Sequence, residues 1–192
     1  MVSSRIQEYS YGLVVQCRLR SVSDGHVREG EGGDCPSSNN ETPGEHVAGV
    51  DNRAAGRLAG DLIGRFLPKD EPQKIALFAG SLAYRGHEER EMGFRHILSE
   101  EFRYLEIVDL REIRDDRIRA YAESTTLLSG HPDLAAIYNI GGGNSGIGKP
   151  LEECGRGREV VFVGHEVTED TRLMLIKGTM DALTSPLSFI PF

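Results

Sequence analysis

The chain has 192 residues, 39% of them hydrophobic and 27% charged, with a net charge of −8. That hydrophobic share supports the packed core of one ordinary domain. The acidic balance argues against a nucleic-acid surface, which needs Lys and Arg to neutralise phosphates. No apolar run approaches the roughly 20 residues of a membrane-spanning helix, and the N-terminus lacks the basic head and apolar stretch of a secretory signal. Cys17, Cys35 and Cys154 are odd in number and form no C-x-x-C pair. Free thiols in a reducing, cytoplasmic setting fit them better than a disulfide framework or a zinc site.

Residues 1–45 carry one short apolar patch, Gly12-Leu13-Val14-Val15, followed by a Gly-, Ser-, Asn- and Glu-rich stretch. Too little apolar surface offsets its ordering entropy, so an irregular or disordered segment is expected. A regular alternation begins near residue 46. HVAGV (46–50) reads as a short strand. Asp51 and Asn52 are helix N-caps, and Ala54, Leu58, Leu62, Ile63 and Phe66 recur at helical spacing up to Pro68. KIALFAG (74–80) is a continuously apolar, buried strand. After a polar loop, a helix from about Glu88 to Phe102 is expected to face the core with Met92, Ile97 and Leu98, flanked by Phe94. LEIVDL (105–110) is a strand, followed by a helix over about 116–128 with Ile118, Tyr121, Leu127 and Leu128. LAAIYNI (134–140) is a strand. A glycine turn then leads into a helix in which Pro150 is an awkward guest. EVVFVG (159–164) is a strand, and 169–177 a helix carrying Leu173, Leu175 and Ile176. The last segment starts like a strand at TMDAL and becomes irregular over 184–192.

This alternation of strand and helix predicts an α/β fold, a parallel sheet with helices on both faces. In open parallel sheets ligands bind beyond the carboxyl ends of the strands, so the residues after Gly80, Leu110, Ile140 and Gly164 matter most. Ser81 follows a strand, but its surroundings do not match the G-x-S-x-G of a nucleophile elbow. Arg90 lies in the first turns of a helix. From there it either offers a rigid fork of donors to hydroxyls or a carboxylate, or is a solvated charge among Glu88, Glu89 and Glu91. Gly141-Gly142-Gly143-Asn144-Ser145-Gly146 fits G-x-G-x-x-G, with Glu166 twenty residues beyond it. That is a dinucleotide-binding layout, or simply a turn that needs positive φ. Thr168 reads as a helix N-cap with Glu169 and Asp170 near the dipole. The cap does not account for Glu166 at a strand end, where a carboxylate accepts hydrogen bonds from hydroxyls. His87, His96 and His165 have no metal-ligand spacing, so no metal or cofactor is expected, and no nucleophile is nominated for catalysis.

Taken in order, VAGVDNRAAGRLAGDLI, KIALFAG with REMGF, HPDLAAIYNIGGGNSGI, and VVFVGHEVTEDTR with Gly178, Met180, Asp181 and Ala182 resemble the effector domain of lactose-repressor-type (LacI-type) transcription regulators. That domain shares the type I periplasmic sugar-binding fold. The resemblance covers roughly residues 46–183 and corresponds mainly to the C-terminal lobe. It implies that Arg90 clamps sugar hydroxyls and that Glu166 stands where the family usually has Asp. It further implies that Tyr138, Asn139 and Asn144 compete for a contact from the loop after the Ala-Ile-Tyr strand. Ser81 and Tyr84 would line the same cleft.

The implied function is that of a cytoplasmic, non-enzymatic sugar- or polyol-sensing domain. A periplasmic sugar-binding protein of a transport system is the alternative, and a dinucleotide-binding enzyme domain a further one. No basic helix-turn-helix precedes the domain, so direct DNA binding by this chain is not expected. Residues 1–45 read as a remnant of the first lobe, which implies a truncated or frameshifted regulator. An uncovered lobe face would favour a homodimer.

Overall fold

The structure, a computed structural model, describes residues 4–9, 13–18 and 51–186, with side-chain detail from Asp51 to Thr184. Five parallel strands form its centre: β3 (Gln73–Ala79), β4 (Leu105–Glu112), β5 (Leu134–Asn139), β6 (Val161–His165) and β7 (Ala182–Pro186). A hairpin of β1 (Ser4–Tyr9) and β2 (Leu13–Arg18) extends this sheet, β2 pairing antiparallel with β7. The order is β1-β2-β7-β6-β5-β3-β4. The α/β fold expected from the alternation is therefore present. The expectation that residues 1–45 are irregular is corrected for 4–9 and 13–18. Their pairing partner, β7, lies far along the chain, and no local pattern reports a non-local ladder. The strand expected over 46–50 lies outside the described residues.

Helices cover both faces. On one lie α1 (Asn52–Phe66) and α2 (Arg85–Glu101), which bury Ala59, Leu62, Ile63, Phe94 and Ile97 against Leu77, Tyr138 and Val163. On the other lie α3 (Arg117–Gly130), α4 (Asn144–Glu153) and α5 (Glu169–Lys177), whose Ala120, Leu127, Ile147, Leu151 and Met174 pack on Phe78, Ile137 and Phe162. Strand alternation produces the division: Ala136, Tyr138 and Ile140 face one layer and Ile137 the other. The Phe94 ring stacks on Tyr138 at 4.6 Å between centroids, which locks α2 to β5.

Helix limits follow local chemistry. The Asp51 carboxylate accepts from the Ala54 N–H to start α1, and Asp116 accepts from Ile118 and Arg119 to start α3. Thr168 and Thr171 cap α5 reciprocally, and Gly178 ends that helix at φ 84°. Pro150 sits buried in the last turns of α4, where it costs one backbone bond without breaking the helix.

Three expected helix faces are corrected in part, while Ile97, Leu98, Leu127 and Leu128 are buried as expected. In α2 the buried residues are Gly93, Phe94, Ile97 and Leu98, and Met92 is exposed. In α3 they are Ala120, Ser124, Leu127 and Leu128, which leaves Ile118 78% exposed and Tyr121 at the surface. In α5 Thr171 and Met174 are buried while Leu173 and Ile176 face out. In each case small or polar residues, Gly93, Ala120, Ser124 and Thr171, share the inner face with the large apolar ones. The crossing of α1 and α2 is the tightest. A Cβ on Gly93 would lie 2.1 Å from the Arg53 carbonyl oxygen, and one on Gly56 1.9 Å from that of Arg90.

Candidate functional site

Among the five parallel strands the spatial order is β4-β3-β5-β6-β7. The chain reverses its direction of winding between β3 and β5: α2, after β3, covers one face, and α4, after β5, covers the other. A crevice opens at such a switch point, beyond the carboxyl ends of the two strands.

Arg90 reaches this point from α2. Its Nε donates to Asn52 Oδ1 at 2.9 Å and its Nη1 donates to the Ile140 carbonyl at 2.8 Å. The α1–α2 contact brings Asn52, the first residue of α1, into range, and Ile140 is the residue after β5. The guanidinium is thereby fixed in orientation. Its Nη2 makes no hydrogen bond among the described residues, which leaves donors for a ligand. Asn52, read from the sequence as a cap, is an orienting residue instead.

Glu166 follows β6 directly and adopts φ 69°, a left-handed conformation that is rare for a residue with a side chain. The Thr171 hydroxyl donates to the Glu166 carbonyl at 3.0 Å and helps hold it there. Its side chain is exposed and makes no hydrogen bond or ion pair among the described residues. It borders a depression of about 420 Å³ lined also by Asp115, Arg117, Ser145, Thr168 and Asp170. Asp115 and its neighbour Arg114 share the left-handed conformation, at φ 55° and 56°. Such residues cluster where the surrounding structure holds a binding loop in place.

The other expected contacts divide. Tyr138 is fully buried: its hydroxyl meets His165 Nε2 at 2.8 Å, while Thr184 Oγ1 meets His165 Nδ1 at 2.7 Å. Burial holds the His165 imidazole well below its usual value and pushes the Tyr138 phenol up. This neutral chain ties β5, β6 and β7 together, and Tyr138 is corrected from a cleft contact to a core residue. Asn139 and Asn144 are likewise buried. Asn139 Nδ2 donates to the Gly141 and Gly142 carbonyls and to Asn144 Oδ1, and Asn144 Nδ2 donates to the His165 carbonyl. Their amides brace the glycine loop against β6; Asn139 is thereby corrected from a direct contact to a bracing residue, while Asn144 also lines the depression beside Glu166. Asn139 Oδ1 is a buried side-chain oxygen without a partner among the described residues.

Ser81 and Tyr84 belong to the loop between β3 and α2. The Ser81 hydroxyl accepts from the Ala83 N–H at 3.2 Å, and Tyr84 is 60% exposed at the start of α2. The Tyr84 ring stands edge-on to His87 at 5.6 Å.

Sequence reasoning missed His87 and Asp115. A Cβ on Gly141 would lie 2.3 Å from Asp115 Oδ1 and 2.9 Å from His87 Cε1, so both side chains crowd the end of β5. Asp115 Oδ1 also accepts from the Gly142 N–H at 2.7 Å. Burial lowers the His87 imidazole, with opposing contributions from Asp115 and Arg90 and a smaller one from Glu166. The His87 ring and Asp115 therefore share the end of β5, where Arg90 holds the Ile140 carbonyl. In this loop an amide that a pyrophosphate would use is bound to the chain's own carboxylate, whose charge repels phosphate. The glycine run is used as a turn, with Gly143 at φ 80°.

A doubly wound sheet with an anchored arginine at its switch point and an unpartnered carboxylate at the end of the next strand defines a binding fold for a small polar ligand. Residues 34–187 match the family model for the periplasmic binding protein domain, and the chain belongs to that family. Solved structures similar to it have the type I fold of sugar-binding proteins. A glucose-galactose binding protein from Geobacillus stearothermophilus is 27% identical with a TM-score of 0.66, over 72% of this chain and 49% of that one. A sugar ABC transporter sugar-binding protein from Bacillus halodurans is 23% identical with a TM-score of 0.65, over 69% and 45%. An ABC transporter solute-binding protein from Burkholderia graminis, in complex with D-arabinose, is 22% identical with a TM-score of 0.66, over 72% and 49%. The chain thus spans about half the length of these structures. A search of curated proteins gave no match.

Proposed function

We propose that this chain binds a monosaccharide or related polyol at the carboxyl end of its parallel sheet and performs no chemical step on it. The observation that carries this reading is Arg90, fixed by Asn52 and the Ile140 carbonyl at the end of β5 with Nη2 left over, while the side chain of Glu166 stands unpartnered among the described residues at the end of the adjacent strand β6. A preorganised donor fork and a free carboxylate suit vicinal hydroxyls, which both donate and accept. The sugar-binding proteins among its structural neighbours support the ligand class. The test is the thermal midpoint of the purified chain against glucose, galactose, arabinose, fucose and polyols. Ligand at 100 times Kd adds about 2.7 kcal/mol of stability, a clear rise in midpoint. Arg90→Ala should abolish it. No shift with any of these compounds overturns the reading.

Of two biological settings, a solute-binding component of sugar transport is favoured by the same neighbours. A sugar-responsive domain of a LacI-type regulator, located in the cytoplasm, is the second reading and rests on the motif order from VAGVDN to VVFVGHE. Cell fractionation separates them: recovery outside the cytoplasm supports transport, and recovery in the cytoplasm supports the regulator. Neither reading assigns DNA binding to this chain, and a site-specific gel shift would refute that.

A further inference from the structure

Within the sugar-binding reading, on which this inference rests, we infer that His87 is a ligand-contacting residue. It donates from Nε2 to an uncharged oxygen of the ligand and, with Asp115 and Glu166 nearby, selects neutral sugars over anionic ones.

The tautomer comes first. The Ser81 N–H at the end of β3 donates to His87 Nδ1 at 3.3 Å. A nitrogen that accepts this bond carries a lone pair, so the proton of the neutral imidazole is on Nε2. Burial favours the neutral form. The ring is only partly covered, and Nε2–H meets no protein acceptor among the described residues. His87 thus presents a donor of defined direction that the protein itself does not use.

Its place comes next. His87 lies one helical turn before Arg90 on α2, so both side chains leave the same face. His87 Cε1 lies within 2.9 Å of the point where a Gly141 Cβ would stand, and that ring atom is bonded to Nε2. Asp115 Oδ1 crowds the same point, and Arg90 holds the neighbouring Ile140 carbonyl. The unused donor is therefore at the junction of β3 and β5, where the fold opens its crevice.

The charges then restrict the ligand. Asp115 crowds the same point as the His87 ring and lines, with Asp116, Glu166 and Asp170, the adjoining depression, four carboxylates against the guanidinium groups of Arg90 and Arg117. A hydroxyl or ring oxygen is welcome at Nε2–H, because the carboxylates can accept the ligand's own hydroxyl protons. A uronate or sugar phosphate brings a like charge into a partly desolvated cluster, and binding weakens.

His87 also staples the Ser81 loop, so the experiment must separate the two roles, and two substitutions do. His87→Asn keeps an acceptor near the Nδ1 position and removes the outer donor. His87→Gln keeps a donor near the Nε2 position and loses the loop acceptor. Chain labelled with nitrogen-15 in histidine is titrated by NMR with D-glucose, D-galactose, D-arabinose, D-fucose and D-galacturonate, and thermal midpoints are recorded in parallel. The expected result is a shift of the His87 Nε2–H resonance with one neutral sugar and weaker binding of galacturonate. His87→Asn should bind that sugar roughly three- to tenfold more weakly at an unchanged midpoint, the worth of one neutral hydrogen bond. His87→Gln should stay within about threefold of the parent. Parent-like affinity in His87→Asn, a larger loss in His87→Gln, or tighter galacturonate binding overturns this proposal alone. If no sugar binds the parent chain, the sugar reading falls and takes this proposal with it.

Discussion

Adding one methyl group to Gly93 should destabilise the protein and weaken ligand binding together, although the same change elsewhere in a helix stabilises. A Cβ on Gly93 would stand 2.1 Å from the Arg53 carbonyl oxygen, 3.0 Å from its carbon and 3.2 Å from its Cα. All three atoms are backbone of α1, so no side chain can rotate out of the way and the helices must separate. Overpacking of this kind costs about 1–3 kcal/mol, against a gain of about 1 kcal/mol in helix propensity. A contact of 2.1 Å with rigid backbone lies at the upper end of that cost, so the net loss is about 2 kcal/mol and lowers the midpoint by roughly 4–8 °C for a chain of this size. Gly130, the last residue of α3, is the control, since nothing lies within 4 Å of its Cβ position. Gly130→Ala should raise stability by up to about 1 kcal/mol. Both are read by urea or thermal unfolding. Moving α2 outward also carries Arg90 away from Asn52 and Ile140, so sugar affinity should fall in Gly93→Ala and not in Gly130→Ala. A Gly93→Ala chain as stable as the parent would refute the close α1–α2 contact and the anchoring of Arg90 argued from it.

Three further predictions follow from the buried polar groups and the core. His165 is held neutral, below the usual 6.5, by burial and by nearby Arg90 and His87. The unfolded chain therefore binds more protons as pH falls. The contribution of His165 is complete above about pH 6.5 and is lost progressively below it, and His87 adds in the same sense. The midpoint should fall between pH 7.5 and 5.5, before carboxylates titrate, and His165→Gln should flatten that slope; a flat profile in the parent refutes the burial. Asn144→Ala removes the donor to the His165 carbonyl and the acceptor for Asn139, both buried. The expected loss is about 1–3 kcal/mol in urea unfolding. Phe94→Ala removes the ring stacked on Tyr138 and should cost about 3–5 kcal/mol. A loss under 1 kcal/mol would contradict the stack.

What was legible in the sequence was local. The helix read over 169–177 matches α5, Glu169–Lys177, because Thr168 and Gly178 mark its ends chemically. The apolar runs of β3, β5 and β6 announce buried parallel strands, since both faces of each are covered. The hairpin β1–β2 was not legible, because β2 is specified by a ladder to β7. The inner faces of α2, α3 and α5 were misread for a related reason. Where helices cross closely, glycine, alanine, serine and threonine join Phe94, Ile97, Leu127 and Met174 on the inward face, and a hydrophobic count passes over the small ones. In the candidate site, the pattern around Arg90 left it open between a ligand clamp and a solvated charge, only the family resemblance of REMGF nominated it, and its anchors were not visible at all. Asn52 and Ile140 come from α1 and from the end of β5, and only the α1–α2 crossing joins them to α2.

The same reasoning explains why Tyr138, Asn139 and Asn144 attracted attention and why the structure gives them another task. Polar groups at the end of a buried strand need partners, and here they find them in one another and in β6. The His165 carbonyl is tied to Asn144 and its ring to Tyr138 and Thr184. The residue immediately after it, Glu166, is thereby fixed at its N-terminal side by the core and at its carbonyl by Thr171. The polar residues of the core therefore act on binding by holding the backbone from which the exposed charges project. An Asn144 variant with a weakened ligand site but an intact Arg90 would show this coupling directly: its affinity should fall for every sugar by a similar factor. A contact residue such as His87 should instead discriminate among sugars.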